Sequence, residues 1–61
     1  MASLTTKELS GIEDQLGAEE LLVKKFQSYA QQAQDQQIKS QAEQMAKRHK
    51  QHFDTLMGFL Y

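Results

Sequence analysis

Apolar residues return along this 61-residue chain in alternating steps of three and four. The first run is Leu9, Ile12, Leu16, Glu19, Val23, Phe26, Ala30, Ala33; the second is Ile38, Ala42, Met45, His49, His52, Leu56, Phe59. That spacing keeps one stripe on one side of a helix and is the seam pattern of coiled coils and bundles. No stretch alternates with the period of two that a strand requires. The step joining the runs, Ala33 to Ile38, is five residues. At about 100° per residue it swings the stripe by roughly 140°. One uninterrupted helix would carry two stripes on nearly opposite sides.

A turn near residues 34–37, with Asp35 as N-cap of the second helix, removes that conflict. Thr5 and Glu8 form the pattern of a capping box and start the first helix. The chain is therefore expected to be all-α: one antiparallel hairpin over 1–61, with helix 1 at about 5–34, a turn at about 34–37 and helix 2 at about 36–60. Gln36 and Gln37 have no aversion to helix. A straight helix that swaps its second half into a partner is the alternative architecture.

Folding back at this turn pairs residues whose numbers sum to 71 or 72. Phe26 meets Met45, Val23 meets His49, Glu19 meets His52, Leu16 meets Leu56, and Ile12 meets Phe59. Two helices cannot enclose a core of their own. Two hairpins forming a four-helix bundle is the economical answer, which makes the expected partner a second copy. Leu9, Ile12, Leu16, Val23, Phe26, Ile38, Met45, Leu56 and Phe59 would form that dimer's core. The final Gly58–Tyr61 would close its end against Ile12 and Leu9.

Composition narrows the function. Proline, cysteine and tryptophan are absent, while glutamine occurs ten times. Without cysteine there is neither a disulfide nor a thiolate metal site. No apolar run approaches the ~20 residues of a membrane span. Net charge is −1, which gives no global attraction to nucleic acid or membrane. The charges are sorted, however: residues 1–35 hold six acids and three bases, residues 36–61 two acids and four bases. An acidic helix beside a basic one favours the hairpin. The single basic cluster, Lys47-Arg48-His49-Lys50, has no interleaved aromatic residue for base stacking. No phosphate loop and no nucleophile–base arrangement can be assembled, so no catalytic residue is expected and the chain reads as non-enzymatic.

Three seam positions are polar: Glu19, His49 and His52. His49 and His52 are three apart, on one helix face, and Glu19 comes from the other helix at the height of His52. Imidazole with carboxylate suits zinc, iron or manganese. The plainer reading is a self-satisfied Glu–His packing layer. Glu13 and Glu20 are substitutes for Glu19, and Gly17 would let a neighbouring backbone come close. Glu20–Lys24 and Glu43–Lys47 stand at the spacing of surface ion pairs.

Glu13-Asp14, the run Glu19 to Phe26 (Glu-Glu-Leu-Leu-Val-Lys-Lys-Phe), Tyr29-Ala30, and the run His49 to Leu56 (His-Lys-Gln-His-Phe-Asp-Thr-Leu) resemble the small spore coat protein F-like chains of spore-forming Firmicutes. The resemblance covers roughly residues 5–60. It implies a ferritin-like helical bundle of which short members form one half. It also implies a structural protein made in the cytoplasm, associated with the spore coat, and partnered by itself and other coat proteins. Glu19 or Glu20 and the His49/His52 pair then stand where ferritin-like bundles carry metal ligands. Two departures matter. The ferritin-like ligand helix carries Glu-x-x-His, whereas this chain has His49-x-x-His52 and lacks the bridging carboxylate. Relatives of this kind place proline after the turn aspartate, and here that residue is Gln36. The expected function is a self-associating structural bundle; a metal-binding bundle and a helical adaptor for another protein are the alternatives.

Overall fold

A computed structural model describes residues 3–61 as two α-helices, α1 (Thr6–Gln32) and α2 (Gln36–Met57), folded into an antiparallel hairpin 46 Å long. The hairpin is thus the observed architecture, and the straight-through helix is not. Helix α1 begins with the anticipated capping box. The backbone N–H of Thr5 donates to Glu8 Oε1 at 2.9 Å and the N–H of Glu8 donates to Thr5 Oγ1 at 3.0 Å. The Thr5 backbone N–H, and after it the Thr5 side chain beside the carboxylate, hold the exposed Glu8 carboxyl below the usual glutamate range.

The helix break is made by several weak devices acting together. Ala33 leaves the helix in an extended conformation, φ −68° and ψ 130°. Asp35 is extended as well, φ −75° and ψ 123°. Its Oδ1 accepts from the N–H groups of Gln37 and Ile38 at 2.8 and 3.1 Å, satisfying donors that a helix start leaves free. Across the turn, Lys39 Nζ donates to the Ala30 carbonyl at 2.9 Å. The last turn of α1 has no basic residue of its own. Lys39 therefore supplies from α2 the positive charge that a helix C-terminus favours.

Only Leu16, Glu19, Ala30, Ala42 and Ala46 are buried among the described residues. Three of the five are alanines, and their small side chains let the helices approach closely near the turn. This contact rotates α2 relative to the expected layers. Ala46, absent from the expected seam, is buried. Ile38, Phe59 and Leu9, counted among the core positions, are 57%, 50% and 38% exposed in the single hairpin. Those positions are expected in the core of a dimer, and one hairpin leaves them uncovered. Gly17 makes no close approach, since a Cβ there would meet nothing within 4 Å. Tyr61 is exposed, and Phe59 lines one groove with Ile12, Leu4 and Leu56.

The hairpin consequently has two unlike sides. On one, Phe26, Tyr29, Ala33, Ile38 and Met45 line a shallow groove near the turn, and Leu4, Ile12, Leu56 and Phe59 line another near the termini. Ile38 and Leu56, eighteen residues apart, are separated by five whole turns of α2, and Met45 lies within about 20° of them, so both grooves belong to one side. The other side carries Gln27, Gln31, Lys39, Glu43, Lys47 and Lys50 around Val23 and Ala46.

Two outcomes follow. Gln36 opens α2 at the position where proline is favoured, and Asp35 already has the extended backbone that a residue preceding proline requires. Gln36→Pro should stabilise the fold by about 0.4–1 kcal/mol, a rise of several degrees in the thermal midpoint. A lower midpoint would mean that the Gln36 amide is needed. Glu8 gives a pH dependence of definite sign. Its folded pKa is depressed, so the cap's contribution is complete above the ordinary glutamate value and is lost as pH falls through the lower folded value. The Glu8 carboxyl, followed by NMR, should titrate below a Glu8 in the unfolded chain; a coincident midpoint would show that the box does not hold in solution.

Candidate functional site

Glu19 is the one buried charged residue among the described residues, at 4% exposure. A carboxylate leaves water at a cost of several kcal/mol unless each oxygen finds a donor. Here α2 supplies both. His49 Nδ1 lies 3.0 Å from Glu19 Oε1, and His52 Nδ1 lies 2.9 Å from Oε2. A carboxylate oxygen accepts, so each Nδ1 is assigned as the donor. Among the described residues no buried side-chain polar atom is left without a partner.

The two histidines are held differently. His49 has a side-chain exposure of 16% and His52 of 54%. His49 is stacked parallel to Phe26 and offset from it, ring centroids 5.6 Å apart and planes 5° from parallel. Its other neighbour, the His52 ring, stands edge-on at 5.4 Å and 88°. Tyr29 meets Phe26 edge-on at 6.1 Å and 78°. Tyr29, Phe26, His49 and His52 form a row of four rings with alternating edge and face contacts, which aromatic quadrupoles favour. Phe26 comes from α1 and the histidines from α2, so the row fixes imidazole orientation across the helix interface.

The expected pairing placed Glu19 opposite His52 and Val23 opposite His49. The structure brings Glu19 against both histidines, and Phe26 rather than Val23 covers His49. Phe26 as a histidine-orienting residue was hidden by treating each layer as a pair of facing positions. The i, i+3 spacing of the histidines was the usable signal, since one carboxylate can reach two rings that lean over the same helix face. Neither Glu13 nor Glu20 substitutes for Glu19. Both are exposed, and Glu20 accepts from Lys24 Nζ at 3.1 Å. Glu43–Lys47 forms no ion pair among the described residues; Lys50 pairs with Asp54 at 2.9 Å, its ammonium 5.2 Å from the Phe53 ring centre.

One carboxylate oxygen and one ring nitrogen from each histidine lie within 4.8 Å of one another. This donor set, two imidazoles and one carboxylate within a single hairpin, does not fit a ferritin-like di-metal centre, which needs further bridging carboxylates. It is compatible with one ion of the zinc type. No helix among the described residues is long and apolar enough to cross a membrane.

Fold and site together define an all-α helical hairpin with one buried carboxylate shared by two histidines. Comparison of the chain with protein-family models, characterised proteins and solved structures finds no match in any of the three.

The unequal burial of the rings yields a stability ordering. His49→Ala removes a donor from a buried carboxylate and a ring from the stack, and should cost about 3–5 kcal/mol. His52→Ala removes a half-exposed donor whose place water can take, and should cost about 1 kcal/mol. Urea unfolding followed by circular dichroism measures both. Equal losses would show that the stacking on Phe26 contributes nothing.

Proposed function

We propose that this chain is a non-enzymatic structural protein that pairs with a second copy through its apolar side to complete a four-helix bundle. The observation that carries this reading is the contrast between the two sides of the hairpin. Ile38, Tyr29 and Phe59 are 57%, 49% and 50% exposed, and they lie with Phe26, Met45, Ile12 and Leu56 along the same side. The opposite side is occupied by lysine, glutamine and glutamate. Fully burying one such large apolar side chain contributes about 1.5–3 kcal/mol. A 61-residue hairpin whose buried apolar residues are Leu16 and three alanines needs that contribution. A second copy offers the same apolar side, and a two-fold axis makes the contact self-complementary.

The resemblance of residues 5–60 to spore coat F-like chains supports a place for this bundle in a spore coat, after synthesis in the cytoplasm. A symmetric bundle presents its lysine- and glutamine-rich sides outward, suited to contacts with other coat proteins.

Sedimentation equilibrium should give a mass twice that of the chain at tens of micromolar. The thermal midpoint should rise with concentration, because association stabilises by mass action. Ile38→Glu should place a charge in the seam, return the mass to that of one chain and remove the concentration dependence. A wild-type midpoint that ignores concentration, with the mass of a single chain, would overturn self-pairing and assign the apolar side to a helix of another protein.

A further inference from the structure

We infer that Glu19, His49 and His52 form a mononuclear site for a divalent metal ion of the zinc class, complete within one chain. The distances carry the argument. Zinc binds histidine nitrogen and carboxylate oxygen at about 2.0–2.2 Å, which sets tetrahedral ligand atoms about 3.3–3.5 Å apart. The Glu19 oxygens already stand 3.0 and 2.9 Å from the two Nδ1 atoms, and the three donors fall within 4.8 Å of one another. An ion entering among them requires the two carboxylate–imidazole contacts to open by a few tenths of an ångström and the widest donor separation, up to 4.8 Å, to close by about 1 Å. Both imidazoles bind as neutral ligands. Each Nδ1 gives up its proton, Nε2 of the same ring gains one by exchange with water, and the freed Nδ1 lone pair binds the metal. No net proton is released and no redox partner is needed. Metal replaces the two hydrogen bonds that now satisfy Glu19.

The surroundings suit an ion. Glu19 is 4% exposed and places a full negative charge in a water-poor spot. His49 is clamped against Phe26 at 5.6 Å and 5°, so one ligand ring is oriented before metal arrives. His52 is half-exposed in the single hairpin, which leaves a fourth coordination position open. Two imidazoles and one carboxylate with an open position is a donor set that zinc occupies readily, and cobalt(II) reports on it by its colour. The ligands come from both helices, so a bound ion ties residue 19 of α1 to residues 49 and 52 of α2. It stabilises the hairpin in proportion to its affinity for the folded state.

Cobalt(II) added to chelator-stripped full-length protein should produce visible ligand-field bands that saturate at one cobalt per chain and are bleached by one equivalent of zinc. Excess zinc should raise the thermal midpoint by several degrees. His52→Ala alters a half-exposed residue and retains the helical spectrum; it should lose the bands and the midpoint rise together. Glu19→Gln keeps the side chain's shape, removes its charge and should weaken cobalt binding at least tenfold. The inference is overturned if cobalt gives no bands and zinc leaves the midpoint unchanged. Bands that persist in His52→Ala, or that saturate at one cobalt per two chains, also overturn it, because the metal would then sit on other groups or only between copies. His52 lies within about 40° of Ile38 around α2, on the side proposed for pairing, so the titration is repeated in Ile38→Glu, where a site complete within one chain keeps its bands at one cobalt per chain.

Discussion

Asp35 carries the interaction on which the other contacts rest. Its carboxylate takes the N–H groups of Gln37 and Ile38, and in doing so converts a stretch of good helix formers into a turn. A capping bond of this kind is worth only about 1 kcal/mol, less than the cost of misplacing one buried side chain. It succeeds because neighbouring features push the same way. Ala33 leaves the helix, Lys39 reaches back to the Ala30 carbonyl, and the 140° offset between the two seams makes the continuous helix expose one of them. Without this break Glu19 and His52, 33 residues apart, would lie some 50 Å apart along one rod.

Once the helices fold back, the contact divides into a small-residue half and a polar half. Ala30, Ala42 and Ala46 bring the helices together near the turn. Further along, Glu19 fills the interface and requires donors from the opposite helix. The two imidazoles meet that requirement and are held by the ring stack that begins at Tyr29. A buried carboxylate of this kind contributes less to stability than a hydrophobic replacement can. What it contributes is selection of one register: a slide of either helix by one turn would strand the charge. The same selectivity makes the cluster a compact ligand set, because donors forced together by register are already oriented for an ion.

The apolar side follows from the same geometry. Close alanine contact turns α2 so that Ile38 and Phe59 point away from α1, leaving a stripe that one hairpin does not cover. The proposed bundle of two hairpins would use the stripe, and the lysine- and glutamine-rich side would form its outer surface. A structural role and an internal metal site are compatible in such a bundle, since the proposed donors all come from one hairpin and the pairing rests on the apolar residues beside them.

Much of this was legible in the residues. The three-and-four spacing established two helices, and the five-residue step from Ala33 to Ile38 located the turn. Thr5–Glu8 and Asp35 marked the helix starts, because capping is a local matter of one side chain and the next three amides. Glu19, His49 and His52 stood out as polar residues on otherwise apolar stripes. What only the tertiary structure decided was how the stripes meet. Counting across the turn paired Val23 with His49 and left Ala46 off the seam, whereas the helices settle on their alanines, bury Ala46, and set Phe26 against His49. Position along a helix comes from backbone period, which sequence displays directly. Rotation between two helices comes from the volumes of side chains on both surfaces at once, and those meet only after the chain has folded.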